Sequence, residues 1–181
     1  MNFLNLVKER YSVRRYSNKP VQREKIERCI EAARFAPSTC NSQPWRFIVV
    51  DDIKLKEAIA RETYSKVLSF NSFSKGASVL IIVISERKNI SAKIAGIIKK
   101  RDFSLIDIGI AAEHICLQAV EEGLGTCMLG WFDEEAVKKL LNIPKQKRIE
   151  LIITLGYPDK SVKKKSKKRK DIDSIRSYNY F

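Results

Sequence analysis

Three clusters of polar side chains carry the types and spacing that chemistry needs, and each is better suited to holding a ligand than to attacking one. Arg10-Tyr11-Ser12-Val13-Arg14-Arg15-Tyr16 alternates guanidinium and hydroxyl donors. Arg presents a planar fork suited to bidentate phosphate binding, although a solvated basic turn has the same composition. The stretch Pro37 to Pro44 sets Ser38, Thr39, Asn41 and Gln43 just before an apolar run. Polar groups there can meet the edge of a planar ring or simply make a turn. Between Gly123 and Gly130 the glycines allow close approach of backbone to a ligand, and helix stops and bulges use glycine in the same way.

No side chain offers itself as nucleophile, acid or base. His114 is the one histidine and lies inside an apolar helical pattern, where a hydrogen-bonded core or interface role is expected. Ser–His–Asp and Cys–His arrangements would need that same residue, so no catalytic residue is assigned. Neither a GxGxxG fingerprint nor a P-loop is present. Cys29, Cys40, Cys116 and Cys127 form no CxxC pair and have no His at ligand spacing, so no metal site is expected and buried or free thiols in a reducing compartment are. Difficult chemistry would then have to come from a cofactor.

The elements that position these clusters follow from periodicity. Phe3 to Arg10 reads as a short amphipathic helix, and Pro20 to Arg34, with Ile26, Cys29, Ile30 and Ala33 on one face, as a second. Trp45 to Val50 is a strand by its β-branched and aromatic content, Lys54 to Arg61 a short helix, and Ser65 to Lys75 a loop without period. Val79 to Ile84 is β-branched with no polar alternation, which predicts a strand covered on both faces. Ser104 is read as the N-cap of a helix through Glu122, with Asp107 completing an acidic capping box. That helix is apolar on more than one side and must be buried all round, which makes it a natural subunit interface. Gly123 stops it; a strand, a helix from Glu134 to Leu141 capped by Asp133, and a last strand Ile149 to Leu155 follow. The pattern is α+β, with helices packed on a central sheet.

With 181 residues, 44% hydrophobic and 31% charged, the chain suits one domain spanning 1–181, and such a length buries about 70% of the surface of its unfolded form without disulfides or metal. No apolar stretch is expected to reach the roughly 20 residues of a membrane span, and the N-terminus lacks the apolar core of a secretion signal. A cytoplasmic protein with no membrane partner is expected. The net charge of +14 invites a nucleic-acid reading. Half of that excess, however, sits in KKKSKKRK at 163–170, so the rest of the chain is only mildly basic and nucleic acid is not the expected partner.

Together, RYSVRRY at 10–16, APSTCNSQPWRF at 36–47, GLGTCMLGWFDEE at 123–135, LGYP at 155–158, the basic segment and SYN at 177–179 resemble the nitroreductase family of dimeric oxidoreductases that use flavin mononucleotide (FMN). The resemblance runs from Phe3 to Tyr178. It implies a nitroreductase-like fold with a mixed sheet and an intertwined homodimer, residues 163–181 reaching the partner. It also implies a cofactor site in which Arg10, Ser12 and Arg14 grip the phosphate and ribityl chain. Ser38, Asn41 and Gln43 would line the flavin, with Cys40 nearby. Leu129 and Gly130 would present backbone N–H to flavin N5, Lys167 and Arg169 would close on the phosphate, and Asn71 would lie at the N1 and O2 edge. The family's reaction passes hydride from NAD(P)H through flavin N5 to a nitroaromatic, quinone or similar acceptor in a ping-pong cycle. Two alternatives remain: an FMN-binding protein without turnover, and a polyanion-binding protein that uses its basic tail.

Overall fold

The structure is a computed structural model, and it describes residues 2–65, 69–86, 101–162, 164 and 167–181. Parts of two expectations, the 65–75 loop at residues 66–68 and the basic run at 163, 165 and 166, lie outside the described residues.

The helices are α1 (Phe3–Glu9), α2 (Arg23–Arg34), α3 (Ile53–Arg61), α4 (Phe103–Glu121) and α5 (Glu134–Leu141), and the strands β1 (Trp45–Val50), β2 (Val79–Ser85), β3 (Gly125–Leu129) and β4 (Arg148–Gly156). The sheet order is β1-β2-β4-β3, so β2 and β4 are central. Each pairing is antiparallel, and a parallel bridge from Ser12 to Thr126 adds the mixed element at the β3 edge.

Burial of β2 on both sides explains its unbroken apolar sequence. Val79, Ile81 and Val83 face α2 and α4, where they meet Ile26, Cys29, Ala33, Ile108, Ala111 and Ile115. Leu80, Ile82 and Ile84 face the opposite way, toward Ile59 of α3 and Val137 of α5. Period-2 alternation places successive side chains on opposite faces, so both faces demand apolar residues here. Ala111, Ala112 and Ala119 are fully buried and let α4 lie close against its neighbours.

Several expectations need correction. Helix α2 begins at Arg23 rather than Pro20. The N-cap of α4 is Asp102, whose carboxylate accepts the backbone N–H of Ser104 at 3.0 Å. An ionised carboxylate at this end also meets the positive pole of the helix. Ser104 is thus inside the first turn, and Asp107 makes no capping box. Residues Ser72–Gly76, expected as loop, form a 3-10 turn. Helix α4, 19 residues long, does have the length and hydropathy of a membrane span, against the expectation from composition; one side of it packs on the sheet and α2. In its first turn Leu105 and Ile106 are more than half exposed, and among the described residues none covers them.

Candidate functional site

The basic segment after α1 is extended and stitched to the β3 edge. The N–H of Val13 donates to the carbonyl of Thr126 at 2.9 Å, that of Ser17 to Tyr157 at 2.9 Å, and that of Asp159 back to Arg15 at 3.0 Å. Val13 and Tyr16 are buried, which turns Arg14 and Arg15 outward. Two glycines make this contact possible. A Cβ on Gly125 would lie 2.3 Å from Val13 Cγ2, and one on Gly156 would lie 2.9 Å from Tyr16 Cδ1. The close approach anticipated for a ligand at Gly125 is therefore made by the protein's own Val13, while Gly123, at φ 72°, ends α4 in the left-handed region. The Tyr16 hydroxyl donates to the Val13 carbonyl at 2.9 Å and shares a 2.7 Å bond with Thr154 Oγ1. Burial pushes this phenol well above its ordinary pKa, so it stays a neutral anchor.

The C-terminal strap closes on this segment. Lys167 Nζ donates to the carbonyls of Val7 and Lys8 at 3.1 and 3.0 Å, at the end of α1, where a cation meets the negative pole of the helix. Lys164 pairs with Glu9 at 2.7 Å and holds that carboxyl below its usual range. Between strap and segment lies a cavity of about 530 Å³ that Arg10, Ser12, Arg14, Arg15, Lys167 and Arg169 line, with Asp159 as the one carboxylate among the described residues there. Arg15 pairs with Asp159 at 3.3 Å, and Arg10 with Glu113 of α4 at 3.0 Å. Lys167 is held below the usual lysine pKa, first by partial burial and then by the neighbouring charges of Arg10, Arg169 and Lys164. A lysine whose charge is opposed by the cations around it gains from an anion placed among them.

The structure thus gathers Arg10, Ser12, Arg14, Lys167 and Arg169 around one cavity. Arg15, which stands in the same donor cluster but was given no role by the resemblance, and Asp159, which no local pattern marks, line it as well.

Ser38, Asn41 and Gln43 do not line that cavity. They form a compact turn in which Ser38 Oγ accepts the N–H of Gln43 at 2.9 Å and Gln43 Nε2 donates to Asn41 Oδ1 at 3.1 Å. Cys40, Asn41 and Gln43 all have positive φ, at 52°, 49° and 45°. For non-glycine residues this conformation costs about 1–3 kcal/mol each and clusters where a shape is needed for function. Asp107 of α4 braces the turn: both of its oxygens accept the Thr39 N–H at 3.1 Å, and Oδ1 also accepts the Thr39 hydroxyl at 3.2 Å.

Leu129 is the buried last residue of β3, and Gly130 lies exposed after it with open space where a Cβ would stand. Asn71 is 6% exposed and donates through Nδ2 to the carbonyl of Trp131 at 3.1 Å. Asn71, Leu129 and Gly130 therefore form a third group, also outside the cavity. His114 Nδ1–H donates to the Ile110 carbonyl at 2.8 Å, a bond within α4 that accounts for this residue structurally. Among the described residues no three His, Cys, Asp or Glu side chains converge as metal ligands.

Residues 7–157 match the family model described as the Nitroreductase family. Among curated proteins, an iodotyrosine deiodinase of Thermotoga neapolitana is 31% identical, covering 86% of this chain and 88% of its own length. A putative NADH dehydrogenase/NAD(P)H nitroreductase of Archaeoglobus fulgidus is 32% identical over 86% of this chain and 84% of its own. Among solved structures, an FMN-dependent nitroreductase from Clostridium difficile R20291 superposes with a TM-score of 0.80 at 29% identity, covering 99% of this chain and all of that one.

Proposed function

The chain belongs to the nitroreductase family, and from that premise we propose that it is an FMN-dependent NAD(P)H oxidoreductase in which the basic cavity beside β3 receives the FMN phosphate. The observation that carries this reading is the donor set: among the described residues, five cations and a serine hydroxyl line one cavity against a single carboxylate, in the size range of small-molecule sites. A phosphate monoester close to dianionic at neutral pH answers that charge, and charge-assisted hydrogen bonds to it contribute about 1.5–3 kcal/mol each.

Arg10, Ser12 and Arg14 would hold the phosphate end from the sheet edge, and Lys167 and Arg169 from the strap. Bound FMN would supply the two-electron chemistry that no side chain here provides. Ser38, Asn41 and Gln43 would orient the ring edge, and the backbone at Leu129 and Gly130 would donate toward its N5 position. Ping-pong use of one cleft, NAD(P)H as donor and then a nitroaromatic, quinone or similar acceptor, completes the proposal.

The turn at 38–43 does not line the cavity, and Phe3, Leu4, Leu105 and Ile106 are each more than half exposed. Both facts support a homodimer in which each cleft takes groups from two copies. The 1–181 chain would then act as one domain, with residues 163–181 an arm reaching the partner.

The test is the visible spectrum of the purified protein followed by steady-state turnover. We expect flavin absorption that NAD(P)H bleaches, and NAD(P)H oxidation that accelerates with menadione, a nitroaromatic or iodotyrosine. Bound flavin without turnover would make the protein a flavin carrier. Failure to take up FMN would end the cofactor reading.

A further inference from the structure

We propose that Asp107 is a positioning residue for the ring-facing turn, its carboxylate holding residues 38–43 in the left-handed conformation that the cofactor meets. This inference rests on the proposed function for the cofactor, while the anchoring itself is read from the turn alone. Asp107 is 4% exposed, and among the described residues no Lys or Arg pairs with it. A buried carboxylate needs hydrogen-bond donors for its oxygens, and here the Thr39 N–H and hydroxyl supply them. The bonds join α4, packed against the sheet, to the residue that opens the turn.

The consequence propagates along the backbone. Once Thr39 is fixed, its carbonyl accepts the Ser42 N–H at 3.0 Å, the Ser38 carbonyl accepts the Asn41 N–H at 2.9 Å, and Ser38 Oγ accepts the Gln43 N–H. These bonds close a turn that runs through three residues at positive φ. Left to themselves, Cys, Asn and Gln relax to negative φ. Release of Thr39 therefore frees the strained residues together, and Ser38, Asn41 and Gln43 lose their common arrangement. Asp107 touches none of them and acts only through Thr39.

Asp107→Asn keeps the size but sets an amide that also donates against the Thr39 donors, and Thr39→Ala removes only the hydroxyl bond. Amide exchange in the FMN-free full-length protein should accelerate about tenfold or more at residues 39 and 41–43 in D107N, with β2 and β4 unchanged. T39A should show a smaller effect, and T39S should match wild type. With FMN added, D107N should weaken cofactor affinity by a similar factor and alter the fine structure of the bound flavin's visible band, which a loss of global stability alone would not do. Unchanged exchange at 39–43 in D107N, or accelerated exchange with FMN affinity and spectrum as in wild type, would overturn the positioning role. A wild-type protein that takes up no FMN is a separate result: it removes the cofactor reading, and the exchange comparison still decides whether Asp107 anchors the turn.

Discussion

The side-chain amide of Asn71 donates to the backbone carbonyl of Trp131 at 3.1 Å, tying the 3-10 turn before β2 to the chain leaving β3. Behind it, the fully buried hydroxyls of Thr63 and Ser74 share a 2.8 Å bond, and the Ser74 N–H donates to the Asn71 carbonyl at 3.0 Å. Thr63→Val is therefore expected to leave the Ser74 hydroxyl without its side-chain partner and destabilise by about 1–3 kcal/mol, visible as a lower Tm. Asn71→Ala should add faster amide exchange at residues 130–132, because it removes the bond itself.

A methyl group at residue 125 has no room. Gly125→Ala should push Val13 away and destabilise by about 1–3 kcal/mol, while moving Ser12 and Arg14 off the cavity and weakening FMN binding. Val13→Ala in the same chain should recover part of both losses, because it deletes the Cγ2 that the new Cβ would strike.

Lys167 offers a change whose effects on stability and binding part company. Its pKa is depressed by burial and by Arg10, Arg169 and Lys164. Its charge thus opposes folding at neutral pH, and that opposition is relieved only as pH rises through the lowered pKa. An anion in the cavity reverses the balance. Lys167→Met is predicted to leave the FMN-free protein within roughly 0.5 kcal/mol of wild type, by thermal melts, and to lower FMN affinity, by fluorescence titration.

Thiol reactivity should be confined to one position. Burial pushes Cys29 and Cys116 up to about 12 and raises Cys127 as well, so none forms thiolate readily. Cys40 is exposed. The native protein should react rapidly with one equivalent of a disulfide reagent, and Cys40→Ser should abolish that phase while denaturation uncovers the other three.

Local pattern made much of this fold legible. The unbroken β-branched run at 79–84 announced a strand buried on both faces, and Asp133 marked the start of α5. The motif at 10–16 likewise offered guanidinium and hydroxyl donors within seven positions, and the structure sets Arg10, Ser12, Arg14 and Arg15 around one cavity. What stayed hidden was the choice of distant partner. Asp107 has a plausible local role three residues after Ser104, yet its carboxylate binds Thr39, 68 residues away, and Asp102 takes the cap instead. Asn71 has no periodic context, and its partner lies 60 residues on. In both cases the winning bond is set by the packing of α4 and β3, which no short window of sequence contains.

Whether the cavity between the 10–16 segment and the strap holds a phosphate is decided by comparing FMN with riboflavin in titrations of the cofactor-free protein. The two ligands share the ring and differ in the phosphate. Several charge-assisted bonds predict that FMN binds at least about a hundredfold more tightly, with Arg169→Ala narrowing the gap. Equal affinities for the two, unaffected by Arg169→Ala, would mean that no phosphate is bound there.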